Sequence, residues 1–324
     1  MRAMIVAAGL GTRLLPLSEL RPKPAMPVRG VPLIAYPLAL LARCGVTETV
    51  INVHHLPEMI VAAAERYAPP GMSLRFSFER ELLDTGGGIR RVADFLRESD
   101  PCLILGGDMI ADVDLSALLD RHRTRGDAIT LLLRDDPRVA TFGSIGVDTE
   151  GRLRRIATRF DLGGEEAAGV YTWVNAVAAR AFERLPERDV FGHLDDWIAP
   201  LLAEGASDIR GEVAAPEACV WEPVGTPAEY LAANLHPASL SYFDPDALAR
   251  REGTRFESDL VIGAGARLAA GASLKRAVVW DGEHVSADVR GSDGVYAGGI
   301  FHPCSDPDTV AVSSTNGAAS GEAE

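Results

Sequence analysis

The sequence predicts an α/β protein whose mainly parallel sheet is covered by helices on both faces. Three observations carry that expectation. Short apolar runs alternate with helix-length amphipathic segments through the first half of the chain. The first run, residues 4–8, flows directly into Gly9-Leu10-Gly11-Thr12-Arg13. A later one, residues 102–105, ends on Gly106-Gly107-Asp108. Open parallel sheets collect ligands at such carboxyl ends of strands.

Taken in order, residues 33–44 read as a helix closed by Gly45, and residues 48–53 as a strand. Residues 57–67 read as a helix, 74–79 as a strand, 88–96 as a helix and 102–105 as a strand. Between 129 and 177 strand signal outweighs helix signal, which predicts a mixed extension of the sheet. A helix over 195–204 and strands near Ile209 and Val220 follow. The last helix of this unit starts with Thr226 as N-cap, Pro227 at the first position and Glu229 completing a capping box. It ends at Asn234 or His236 before Pro237, so the first domain is expected to span 1–236.

Residues 237–258 show no period and read as a linker. After it Ile262, Leu268 and Leu274 recur every six residues, with Gly265 and Gly271 in step. That spacing resembles a left-handed β-helix over 259–303; a plain strand pair is the alternative. So few coils cannot stand alone, which predicts packing on the first domain or on a second subunit as a homo-oligomer. Residues 304–324, rich in Ser, Gly, Ala and acid, read as a disordered tail.

The glycine turn is where chemistry begins. Its two glycines let the backbone bend tightly and bring N–H groups up to an anion, while Arg13 and Lys23 supply cations. The third glycine of the dinucleotide fingerprint is Leu14 here, and Gly-x-x-x-x-Gly-Lys-Ser/Thr is absent. A glycine pair alone would equally suit a turn without ligand. Pro22 and Pro24 change the weighing, because they brace Lys23 on a stiff extended segment that a solvated lysine does not need.

Residues 9–18 read Gly-x-Gly-Thr-Arg-Leu-x-Pro-Leu-Ser, and Arg21-Pro22-Lys23-Pro24 follows. This pattern resembles the sugar-1-phosphate nucleotidyltransferases, nearest to the mannose-1-phosphate guanylyltransferase and N-acetylmuramate-1-phosphate uridylyltransferase types, and the resemblance extends to about Leu235. It implies a Rossmann-like, GT-A-like domain. It also implies transfer of a nucleotidyl group from an NTP, UTP or GTP favoured, to a mannose-, N-acetylmuramate- or heptose-type sugar-1-phosphate, with release of pyrophosphate. By the same resemblance Arg13, Lys23 and Asp108 are catalytic and Asp108 holds Mg2+. The nucleotide site would draw on Ala8, Gly9, Gly11, Thr12, Arg13, Glu81, Thr85, Gly86 and Gly107. The sugar-phosphate site would draw on Lys23, Arg159, Thr172 and Trp173. Asp84-Thr85-Gly86-Gly87-Gly88-Ile89 is most like the uridylyltransferase and heptose-type members, its glycines clearing space for a flat base.

Three departures stand out. Where relatives have Trp-x-Asp-Val/Ile-Gly-Thr-Pro, this chain reads Trp221-Glu222-Pro223-Val224-Gly225-Thr226-Pro227, so the second metal-binding aspartate is a proline. Glu222 could replace it only through a bulge or twist, because a one-residue shift on a strand reverses the face. Glu-Lys-Pro becomes Thr158-Arg159-Phe160, in which Arg159 offers two-pronged phosphate contact. A Thr-Gly pair becomes Thr172-Trp173, whose indole would shrink or cover the sugar pocket, or stack on an unusual sugar. These departures leave a second reading open, a nucleotide- or nucleotide-sugar-binding regulatory homologue with little turnover.

Composition narrows the classes further. A net charge of -14 argues against nucleic acid or an anionic membrane as main partner, so phosphates must be held by a local cationic site. The 47% hydrophobic content predicts a packed core. Cys44, Cys102, Cys219 and Cys304 lack metal-type spacing and read as reduced thiols of a cytoplasmic protein. The N-terminus carries no signal-peptide pattern, and no apolar run reaches membrane-spanning length. His54 and His55 point to opposite faces of a strand and read as structural.

Overall fold

The computed structural model describes residues 1–304, so the predicted tail from residue 305 onward lies outside the described residues. A ten-stranded mixed sheet forms the frame. Its parallel half runs in the order Ser73–Phe78, Glu48–Val53, Arg2–Val6, Cys102–Gly106. Alternate residues of these strands serve two cores. Ile5, Ile51 and Leu103 pack with Leu38, Leu41 and Leu118 on one face, and Met4, Val50 and Ile104 with Ile89, Leu96 and Trp197 on the other. Burial on both faces is why these strands read as continuous apolar runs.

The long strand Ala167–Val177 runs antiparallel to Cys102–Gly106 and carries the extension. Ile129–Arg134 and Ile145–Val147 pair with it, and Ile209–Ala214 adds in parallel beyond Ile129–Arg134. Between Tyr171 and Asn175 its register against Ile129–Arg134 shifts. Trp173 sits in that irregularity at φ 62°, a left-handed conformation uncommon for a bulky residue. Bulges of this kind re-aim side chains beside sites.

Several elements differ from the sequence reading. The glycine-rich helix starts at Asp84 rather than residue 88, running Asp84–Arg91 and then Ala93–Leu96. Glycine's poor helix propensity hides this start. The helix expected over 195–204 is a π-helix, His193–Ile198, leading into Ala199–Ala203. Pro200 has no N–H to donate to the preceding turn, which suits the local widening. The expected linker holds a helix, Pro245–Arg251, capped by Asp244, whose carboxylate accepts from the Ala247 N–H at 2.9 Å. Two turns are too short to display a period. The capping box at Thr226 and Glu229 is formed, opening Pro227–Leu235.

Beyond the linker region the chain coils in parallel. Leu260 faces Ala277, which in turn faces Gly294, and Arg267 faces His284. The repeat is one residue short of three hexapeptide steps. Ile262, Leu268 and Leu274 contribute to one small core, with the shortened corner at Arg276 and Asp293, both at positive φ. One face of the coils buries Val261, Val278, Trp280 and Val295 against Leu14, Leu17, Met26 and Tyr230 of the first domain. Trp280 Nε1–H donates to Tyr230 Oη at 2.9 Å, and Tyr230 donates to the Pro27 carbonyl at 2.5 Å. No helix among the described residues is long and apolar enough to cross a membrane.

Candidate active site

The strand Arg2–Val6 delivers the chain into the glycine turn at the carboxyl edge of the sheet. Gly11 takes φ 65°, and the Leu14 N–H returns to its carbonyl at 2.9 Å, closing a short 3-10 turn. A side chain at Gly11 would be strained whatever the space. A Cβ at Gly9, by contrast, would meet nothing within 4 Å, so backbone there faces open space. On the neighbouring strand the Gly107 N–H donates to the Val6 carbonyl at 2.9 Å, holding the two strand ends together. A Cβ on Gly107 would press against Ile5 at 2.9 Å.

Lys23 sits in the 3-10 turn Lys23–Ala25, with its side chain buried and Nζ 2.8 Å from Asp108 Oδ2. Pro22 at φ -65° sets the approach. Arg13 makes no hydrogen bond or ion pair among the described residues. Its guanidinium lies over Gly225, where a Cβ would come within 2.9 Å of Nη2. The Gly-Thr-Pro run therefore leaves room for the arginine.

Two cavities meet at these groups. One, about 260 Å³, is lined by Ala7, Gly9, Gly11, Thr12 and Thr85 among others. The second, about 290 Å³, is lined by Phe142, Ile145, Arg159, Tyr171, Leu194 and Pro223 among others. Arg13, Lys23, Asp108, Trp173 and Gly225 line both. The cations and the carboxylate thus stand at the junction.

A half-buried chain of hydrogen bonds backs the junction. Thr85 Oγ1 is 3.0 Å from His193 Nδ1, His193 Nε2 is 3.1 Å from Tyr171 Oη, and Tyr171 donates to Asn175 Oδ1 at 2.7 Å. Burial pushes the His193 pKa down to about 4, so the ring is neutral. With the tyrosine proton committed to Asn175, His193 donates from Nε2 and accepts the threonine hydroxyl at Nδ1. The indole of Trp173 leans on both rings, with centroids 5.0 Å from His193 and 5.2 Å from Tyr171. Nothing in local sequence marks His193, Tyr171 and Asn175 as a set; only the spacing of Tyr171 and Trp173 on one strand face hints at it.

The other named residues are placed differently. Ala8 is buried and Glu81 exposed, and neither lines either of these two cavities. The space over Gly86 and Gly87 is filled by the protein itself. A Cβ on Gly86 would fall 2.3 Å from the Phe191 ring, and one on Gly87 2.0 Å from the Asp189 carbonyl. Gly86 and Gly87 therefore permit close packing of the 189–191 segment, and a Cβ on Gly88 would fall 2.9 Å from Asn52 and Glu79, so the space beside all three is filled by the protein. Thr172 is buried and donates to the Leu132 carbonyl at 2.8 Å. Arg159 lines the second cavity, is largely exposed, and pairs with Asp195 at 2.5 Å. His54 and His55 each bond a backbone carbonyl, of Glu79 and Ser18 respectively.

The metal question turns on the strand Val220–Pro223. Pro223 lines the second cavity, whereas Glu222 binds Arg138 at 3.2 Å. Arg138 also holds Asp136, whose carboxyl it pulls down to about 2. The strand is regular, so Glu222 is turned away from Asp108's side. Among the described residues no group of three or more His, Cys, Asp or Glu side chains is placed to enclose a metal ion. The donor set is one carboxylate, which suits an ion held mainly by phosphate oxygens and water.

Comparison with known proteins agrees with this geometry. Residues 2–239 match the family described as nucleotidyl transferase. The mannose-1-phosphate guanylyltransferase of Mycobacterium tuberculosis is 30% identical over 301 residues, covering 88% of this chain and 81% of its own. The mannose-1-phosphate guanyltransferase of Debaryomyces hansenii is 29% identical over 266 residues, covering 78% and 69%. In fold, the crystal structure of HddC from Yersinia pseudotuberculosis superposes with a TM-score of 0.58 at 21% identity, over 72% of this chain and 97% of that one. Since the glycine turn, both cations and the strand-end carboxylate all fall inside the matched region, the chain belongs to the nucleotidyl transferase family.

Proposed function

We propose that this protein is an enzyme joining an NTP to a sugar-1-phosphate, giving an NDP-sugar and pyrophosphate. The observation that carries the reading is the meeting of two cavities at Arg13, Lys23 and Asp108. An oxygen of the sugar phosphate attacks the α-phosphorus in line, and pyrophosphate departs with the electron pair. No covalent intermediate on the enzyme is required, so catalysis is alignment plus charge neutralisation. The glycine-turn N–H groups and Arg13, which has no partner among the described residues, hold the triphosphate tail. Lys23 neutralises charge where donor and acceptor phosphates converge.

Mg2+ fits this site through Asp108 alone. When bound, the ion draws phosphate oxygens together and offsets their charge. Asp108 would leave its bond with Lys23 to hold it, which frees the ammonium for phosphate. The two curated relatives are named for mannose-1-phosphate and guanylyl or guanyl transfer, and the 84–89 segment resembles uridylyl and heptose types. GTP and UTP therefore head the panel of nucleotides. We read the C-terminal coils as a left-handed β-helix, which their parallel hexapeptide-like steps support, and the protein as cytoplasmic.

The test is pyrophosphate release from the full chain with Mg2+, five nucleoside triphosphates and a panel of sugar-1-phosphates. Release in at least one combination is expected. Pro223 in the place of a metal-binding aspartate favours the alternative, a regulatory nucleotide binder. A raised melting temperature with nucleotide but no release in any combination would decide for it.

A further inference from the structure

The second cavity lacks what a fully hydroxylated sugar requires. Each buried hydroxyl needs a hydrogen-bond partner, and sites that select hydroxylated ligands supply acceptors for their protons. Here Phe142, Ile145, Ile156, Leu194 and Trp221 make up most of the wall away from the junction, and Trp173 borders it. Asp108 is the only carboxylate in the lining among the described residues, and Lys23 holds one of its oxygens. Arg13 stands free among the described residues at the junction, where the phosphates converge, and the polar side chains farther along the wall are already engaged. Tyr171 Oη serves Asn175 and His193, Ser144 Oγ receives Arg155 Nη2 at 2.9 Å, and Arg159 pairs with Asp195. Trp221 Nε1–H is buried without a partner, and it can only donate.

Trp173 makes this character rigid. Its backbone sits at φ 62°, where glycine would be unstrained, so a large side chain is held there against a conformational cost of order 1 kcal/mol. The indole is wedged against Tyr171 and a neutral, fully buried His193. A site that bore the cost only to fill space could use a smaller residue.

Resting on the nucleotidyl-transfer reading, we propose that the acceptor is a sugar-1-phosphate carrying an apolar group in place of at least one hydroxyl. A deoxy or C-methyl sugar meets that description. Trp173 is the specificity-determining residue. Its indole and the Phe142 ring receive the apolar group, and a hydroxyl at that point would be buried against them unpaired.

The experiment measures kcat/KM of the full chain with Mg2+ and its best nucleotide on matched pairs. These are mannose-1-phosphate with 6-deoxymannose-1-phosphate and glucose-1-phosphate with 6-deoxyglucose-1-phosphate. In at least one pair the apolar member should win by about tenfold or more. Trp173→Gly, which suits the left-handed backbone, should fold with a single cooperative melt while that ratio falls several-fold toward parity. Phe142→Ser should lower the same ratio. Preference for the hydroxylated member in every pair, or an unchanged ratio in both variants, would overturn the inference while leaving nucleotidyl transfer intact. No turnover of any sugar phosphate would remove both.

Discussion

The two halves of the cleft are built by different means. The half we propose for the nucleotide is shaped by backbone: Gly9 faces open space, Gly11 takes positive φ, and Gly107 locks two strand ends together. The half we propose for the sugar is shaped by large side chains, Tyr171 and Trp173 from an irregular strand leaning on His193. A wall of backbone changes little unless a glycine is lost, whereas a wall of side chains is redrawn by one substitution. The difference teaches where reaction and selectivity reside. The shared phosphate chemistry lies beside the first wall, and this chain's departures from its family pattern cluster on the second.

The sharpest test of that contrast removes the junction cation. Lys23→Met should lower kcat by about 100- to 1000-fold, the range for losing one charge-stabilising group, with the melting temperature nearly unchanged. Folding should survive because Asp108 is partly exposed and can be hydrated. Unaltered steady-state rates would break the contrast at its centre.

Acid should attack the sugar side selectively. The His193 pKa is lowered to about 4 in the folded chain, so between that value and about 6.5 the unfolded chain binds more protons. Stability therefore rises with pH through this window and is lost on acidification, by on the order of 3 kcal/mol at the extreme. Thermal melts between pH 7 and 4.5 should show the slope, and His193→Gln should flatten most of it. His122, also lowered by burial, accounts for a residue of the effect.

Two identical substitutions should then give opposite readouts. Gly86→Ala drives a methyl into the Phe191 ring and should cost about 1–3 kcal/mol in denaturant melts. Gly9→Ala meets no neighbour and should leave stability within about 0.5 kcal/mol, yet weaken nucleotide binding measured by calorimetry. A stable Gly86→Ala would mean the 189–191 segment gives way easily. The smallest effect is expected from Pro223→Asp, which places a second carboxylate beside the junction. It should lower the Mg2+ concentration for half-maximal rate a few-fold, and no change would place that side chain out of reach of the ion.

Local signals in the sequence reached the frame of the molecule and the parts that act locally. Apolar runs found the parallel strands, the Thr226 capping box found its helix, and the glycine turn with Asp108 placed the edge of the sheet. Partnerships between distant segments were not legible. Gly86 and Gly87 are small because residues 189–191 pass close by, a fact more than a hundred positions away in the chain. Glu222 is claimed by Arg138, and His193 joins Thr85 to Tyr171, through contacts with no periodic trace. The helix Pro245–Arg251 escaped for another reason, since seven residues give amphipathicity too little length to register.

The Trp280–Tyr230–Pro27 relay has a practical consequence for anyone trimming this chain. Cutting after the predicted domain boundary would amputate the buttress beneath the proline-braced turn. A chain cut at that point should melt at lower temperature than the whole, and heat should melt coils and cleft together in a single transition.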